Sequence, residues 1–104
     1  MSQQKEIVEN TIKEVESVVD LFYQQKKKEA LGKFESVIGS MMNSIDTLFT
    51  YKAEHEGFEL DENKITNILK EAMNALQDGD EVLLADILQY DYMEYMEELV
   101  NAME

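Results

Sequence analysis

The single histidine, His55, lies between Glu54 and Glu56 in "AEHEGFE". An imidazole flanked by carboxylates is a donor set that could hold a metal ion loosely. Nothing in the spacing strengthens it. The chain lacks the Glu-x-x-His pair through which helical bundles hold two irons. "DGDEVLLAD" is acidic, but its aspartate spacing and glycine position do not fit a calcium-binding EF-hand loop. There is no cysteine, which removes thiolate ligands and thiolate nucleophiles. The histidine has no evident nucleophile to activate, and neither a glycine-rich phosphate loop nor a G-x-S-x-G elbow occurs. The expectation is a protein that is not an enzyme, with no catalytic residues, no metal, no cofactor and no small-molecule substrate.

The chemistry that stands out is negative charge. The formal net charge is −14, and all nine basic residues are lysines. Arginine, the usual reader of phosphate and guanine edges, is absent. Residues 71–104 hold ten acids and no base, whereas residues 1–70 hold thirteen acids and nine lysines. DNA or RNA would meet strong repulsion from such a chain, so no nucleic-acid partner is expected. Tyr90, Tyr92, Tyr95 and many aliphatic residues are threaded through the same acidic stretch, a combination that suits a protein partner.

The elements that position these residues are helical. A chain of 104 residues with 44% hydrophobic residues suits one small domain, residues 1–104. It contains no proline, which permits long uninterrupted helices. Val8, Ile12, Val15, Val19 and Phe22 recur at steps of four and three, as one helix face requires. Phe34, Ile38, Met41, Ile45 and Leu48 repeat the pattern. Ile65, Leu69, Ala72 and Leu76 mark a third segment. Ala85, Leu88, Tyr92, Tyr95, Leu99 and Ala102 mark a fourth. The spacing predicts an all-α, antiparallel helical bundle of four helices.

The junctions differ in strength. Gly57 can end the second helix in a left-handed conformation, Asp61 can cap the third, and Leu60 with Ile65 can form a hydrophobic staple. Gly79 and Asp80 supply the same stop and start before the fourth. "YQQKKKEAL" has neither glycine nor proline, so the alternative is three helices, with the first two fused into one. Up-down-up-down topology would set Lys26, Lys27 and Lys28 beside Asp78, Asp80 and Glu81. The other end would gather Glu54, Glu56, Glu59, Asp61, Glu62, Glu97, Glu98 and Glu104. There the helix dipole disfavours the last three, so the final turn should fray or rely on a cation.

On a wheel of 100° per residue, Leu84, Ala85, Leu88, Tyr92, Tyr95, Met96 and Leu99 share the core side of the fourth helix. Leu83, Ile87 and Tyr90 stack on the opposite side, surrounded by Asp86, Asp91, Glu94, Glu97 and Glu98. An apolar ridge rimmed by carboxylates suits a basic amphipathic helix, with apolar contact giving affinity and the acids steering encounter. The candidate partner-binding residues are therefore Leu83, Asp86, Ile87, Tyr90, Asp91 and Glu94. The alternative is that the ridge completes the core or is buried between copies of the chain as a homodimer seam.

Met41 and Met42 on the second helix, with Met93, Met96 and Met103 on the fourth, either fill the core or adapt a binding surface. Gly32, Ser36, Gly39 and Asn43 line one side of the second helix, either as a solvated face or as a place where another helix can approach closely.

The stretch "ALQDGDEVLLADILQYDYMEYMEEL" resembles the last helix of small bacterial helical proteins of unassigned function, some linked to motility. Ala75, Leu76, Asp80, Leu83, Leu84, Ala85, Asp86, Ile87, Leu88, Tyr90 and Asp91 carry the likeness. The general style is also similar to flagellar and type III export chaperones. The resemblance implies a bacterial, cytoplasmic, motility-linked protein. No apolar run is long enough to span a membrane, and "MSQQKEIVEN" lacks a hydrophobic signal core. The function expected is a chaperone- or adaptor-like module binding another protein, or itself as a homodimer.

Overall fold

A computed structural model describes residues 3–103 and places four helices in them. Helix α1 spans Gln3–Tyr23, α2 Lys27–Glu54 and α3 Glu62–Gln77. The fourth, α4, runs continuously over residues 81–102. It begins as an α-helix, Glu81–Asp86, widens to a π-helix over Ile87–Met93, and resumes as an α-helix over Glu94–Ala102. The all-α bundle read from the periodicity is the observed architecture. Glu104, expected at the acid-rich end, lies outside the described residues. Among those residues, no helix is long and apolar enough to cross a membrane.

The helices lie side by side, each antiparallel to the next. Helix α1 packs along α2 and also against α4, whose other flank carries α3. Gln4 Nε2 donates to Glu54 Oε1 at 3.2 Å, joining the start of α1 to the end of α2. Lys27 Nζ lies 3.4 Å from Glu81 Oε1, the lysine-to-acid pairing expected at the opposite end. Both side chains are partly exposed, so the pair adds little stability.

Central placement explains why α1 and α4 bury more than one stripe. In α1, Thr11 and Val18 are buried besides the five expected apolar residues. Thr11 and Ser44 form a polar contact inside the α1–α2 seam. The Ser44 hydroxyl donates to Thr11 Oγ1, and Thr11 donates to the Ile7 carbonyl at 3.0 Å. Each hydroxyl thus has a partner, as burial requires. In α3, Ile65, Ile68, Ala72 and Ala75 are buried, while the expected Leu69 and Leu76 pack partly buried at the edge.

The first junction is a true turn, made without glycine. Gln25 takes φ 63°. Lys26 N–H donates to the Leu21 carbonyl and Gln25 N–H to the Phe22 carbonyl, both at 2.9 Å. This pair of bonds is the Schellman arrangement, so the helices do not fuse. The α3–α4 turn uses the same device. Gly79 sits at φ 72°, with Asp80 N–H bonded to the Ala75 carbonyl at 3.0 Å. Asp61 and Asp80 cap the helices that follow, accepting from Lys64 N–H at 3.0 Å and Leu83 N–H at 3.1 Å. Leu60 and Ile65, the staple pair, are both buried.

Two local expectations are corrected. Gly57 is not in the left-handed region; α2 ends at Glu54, three residues earlier, and His55 closes it in an extended conformation. Apolar packing anchors the final turn of α4 despite its acids: Leu99, Val100 and Met103 are all buried.

Candidate functional site

The π-helical segment decides what α4 presents. A π turn holds more residues than an α turn, so the 100° wheel fails between Ile87 and Met93. All seven residues placed on the core side are buried, as expected, but Ile87 and Met93 are buried with them. Ile87 is only 4% exposed. The continuous ridge Leu83–Ile87–Tyr90 is therefore not present on the surface, and Ile87 is removed from the candidate binding residues. The reason is the widened turn, together with the need of α4 to face both α1 and α3.

What remains outside is a patch shared by two helices. Leu83 and Tyr90 are 47% and 58% exposed, and Val82 is more open still. Tyr23, at the last turn of α1, joins them. Its hydroxyl donates to Asp86 Oδ1 at 3.1 Å. Partial removal from water, the bond to Asp86, the Asp86 charge and the proximity of Tyr90 all raise the Tyr23 phenol above its ordinary value. The same interactions show that Tyr23, Asp86 and Tyr90 stand together. Leu83 lies three residues before Asp86, on the same side of the first α4 turns.

The other expected residues divide. Glu94 is exposed one turn beyond Tyr90. Asp91 is exposed but turned towards α3, where it lines a shallow cleft with Asn67 and Glu71. Sequence reasoning missed Tyr23, because the wheel treated α4 alone and Tyr23 ends a different helix. Its polar neighbours, Gln24 and Gln25, were the available signal that it leaves the core.

A second concave feature lies at the opposite end. The α2–α3 connection and the last turns of α4 enclose an open bay of about 1170 Å³, lined among others by Tyr51, His55, Phe58, Lys64, Tyr95 and Glu98. Its rings are occupied with one another. His55 stacks on Tyr51 with centroids 3.8 Å apart, and its Nδ1 donates to the Tyr51 carbonyl at 2.9 Å. Phe58 meets Tyr51 edge-on at 4.8 Å. The Lys64 ammonium lies 4.4 Å above the Tyr95 ring, and the Tyr95 hydroxyl accepts from Asp61 N–H at 2.8 Å. The histidine thus serves to close α2. Among the described residues no three histidine, cysteine or acidic side chains converge as a metal-binding group.

Within the π segment, the Tyr92 hydroxyl and Gln89 Oε1 are buried without a hydrogen-bond partner among the described residues. Burial, then the nearby Glu14 carboxylate, pushes the Tyr92 phenol far above the ordinary tyrosine range. Tyr92 is almost fully buried, so it is a feature of the core rather than of the surface.

Fold and surface together define a small acidic helical bundle carrying an exposed aromatic and aliphatic patch at one end. Over residues 1–102 the chain matches the family described as Domain of unknown function (DUF8042), and it belongs to that family. No curated protein and no solved structure matched it.

Proposed function

We propose that the protein is a non-enzymatic interaction module, chaperone- or adaptor-like, that binds a basic amphipathic helix of another protein. The binding surface is the patch formed by Tyr23, Val82, Leu83 and Tyr90, with Asp86 and Glu94 supplying the acids and Asp91 the far edge. The observation that carries this reading is the coincidence of exposed large apolar side chains with a helix that has six acids and no base over residues 81–102. Exposed apolar groups clustered within a charged rim mark interaction surfaces, and opposite charge on the partner speeds encounter and excludes acidic competitors. A bacterial cytoplasmic setting and a link to motility belong to the same reading, resting on the likeness of residues 75–91.

The alternative is a structural homo-oligomer with this patch buried between copies. It would press two base-free acidic helices together, which electrostatic repulsion opposes.

The test is a titration with a labelled synthetic helix carrying leucines at steps of three and four and lysines elsewhere. The expected result is binding that weakens as salt rises and is lost in a folded Leu83→Glu variant. Binding that is indifferent to both would contradict the proposal.

A further inference from the structure

Helix α2 is the outlying element, and α1 is its one extensive neighbour. Along its outward side Lys28, Gly32, Gly39, Met42, Asp46 and Phe49 are all exposed. They recur at helical spacing, so they share one face. Met42 and Phe49 are 48% and 38% exposed, an apolar pair that nothing in the monomer covers.

The charge on this helix, like that of α3, is unlike that of the acidic α1 and α4. Four lysines and four acids leave α2 neutral, in a chain of net charge −14. Two copies therefore approach with less repulsion through α2 than through α1 or α4. The glycines fit the same reading. A Cβ built on Gly32 or Gly39 would meet no atom within 4 Å, so packing inside the monomer requires neither. Glycine nevertheless weakens a helix interior, by about 1 kcal/mol relative to alanine.

We propose that this face of α2 pairs with the same face of a second copy, antiparallel, about a two-fold axis at the level of Val37. In that register residues equally spaced to either side of Val37 meet across the seam. Met42 of one copy lies over Gly32 of the other, where the missing side chain leaves room for it. Lys28 faces Asp46 of the second copy, and the symmetry makes this pair twice, as an isologous interface must. Glu35 lies level with Gly39 of the second copy. The face is thus complementary to itself in both shape and charge. It leaves the Tyr23–Tyr90 patch free, so this assembly and partner binding are independent.

Sedimentation equilibrium of the full chain over a range of concentrations tests the proposal. The expected species is a dimer. Met42→Glu yields a folded monomer, with unchanged circular dichroism, whereas Leu83→Glu stays dimeric. Lys28→Asp and Asp46→Lys each weaken dimerisation roughly tenfold, because each removes two exposed pairs. The double swap restores it. A monomer at every concentration overturns the proposal. So does a dimer indifferent to Met42→Glu, a dimer dissociated by Leu83→Glu, or a double swap that fails to restore association.

Discussion

The Tyr23 hydroxyl donates to the Asp86 carboxylate across 3.1 Å, tying the last turn of α1 to the first turns of α4. Both residues are solvent-accessible, so the bond is a weak structural tie. It fixes the edge of the apolar patch and holds one of its acids ready at the surface. Tyr23→Phe removes the tie but keeps the ring. Thermal unfolding should show a loss of no more than about 1 kcal/mol, and binding of the basic helical peptide should persist. Tyr23→Ser removes the ring as well and should weaken that binding severalfold.

Burial separates Ile87 from Leu83, four residues before it. Ile87→Glu places a charge in the buried core, and circular dichroism should show an unfolded chain. Leu83→Glu lies at the surface and should unfold within about 0.5 kcal/mol of wild type. A folded, stable Ile87→Glu protein would mean that the π-helical register of residues 87–93 is wrong.

Tyr92 buries a hydroxyl that has no partner. Tyr92→Phe removes an unsatisfied group, and chemical denaturation should show a gain of about 1 kcal/mol. The pH dependence follows from the same residue. Its phenol holds its proton more tightly in the folded chain than the ordinary tyrosine value of 10.0. The unfolded chain therefore releases that proton first as pH rises. The stability linked to Tyr92 is complete below pH 10 and is lost progressively above it. Tyr23 is shifted in the same direction and adds to the effect. Alkaline unfolding followed by phenolate absorbance should move to higher pH in Tyr92→Phe.

Gln25 occupies a left-handed conformation that costs a non-glycine residue roughly 1 kcal/mol. Gln25→Gly should raise the unfolding free energy by up to about 1 kcal/mol, and Gln25→Val should lower it by more. Equal stability of all three proteins would contradict the Schellman turn between α1 and α2.

The helices and most of the core were legible in the sequence because apolar spacing is a property of each helix by itself. Phe34, Met41, Ile45 and Leu48 face the core as their steps of four and three require. The Gly79–Asp80 junction was legible for the same local reason. The α1–α2 turn was harder, because Gln25 adopts a conformation for which glycine is the usual signal. The binding surface was only half legible. Leu83, Asp86 and Tyr90 were found on the surface, but the π turn between them follows from packing against two helices at once. A fixed 100° wheel cannot express it. That is why the wheel sets Ile87 outside and cannot include Tyr23, which another helix contributes.

The central claim is that the end of the bundle bearing Tyr23, Leu83 and Tyr90 receives a basic helix. Amide chemical-shift mapping of the labelled protein during titration with the leucine–lysine peptide tests it most directly. The predicted result is a contiguous set of shifts at Tyr23, residues 82–86 and Tyr90, diminishing as salt is added. Shifts confined to the His55–Phe58 bay, or no shifts at low salt, would contradict it.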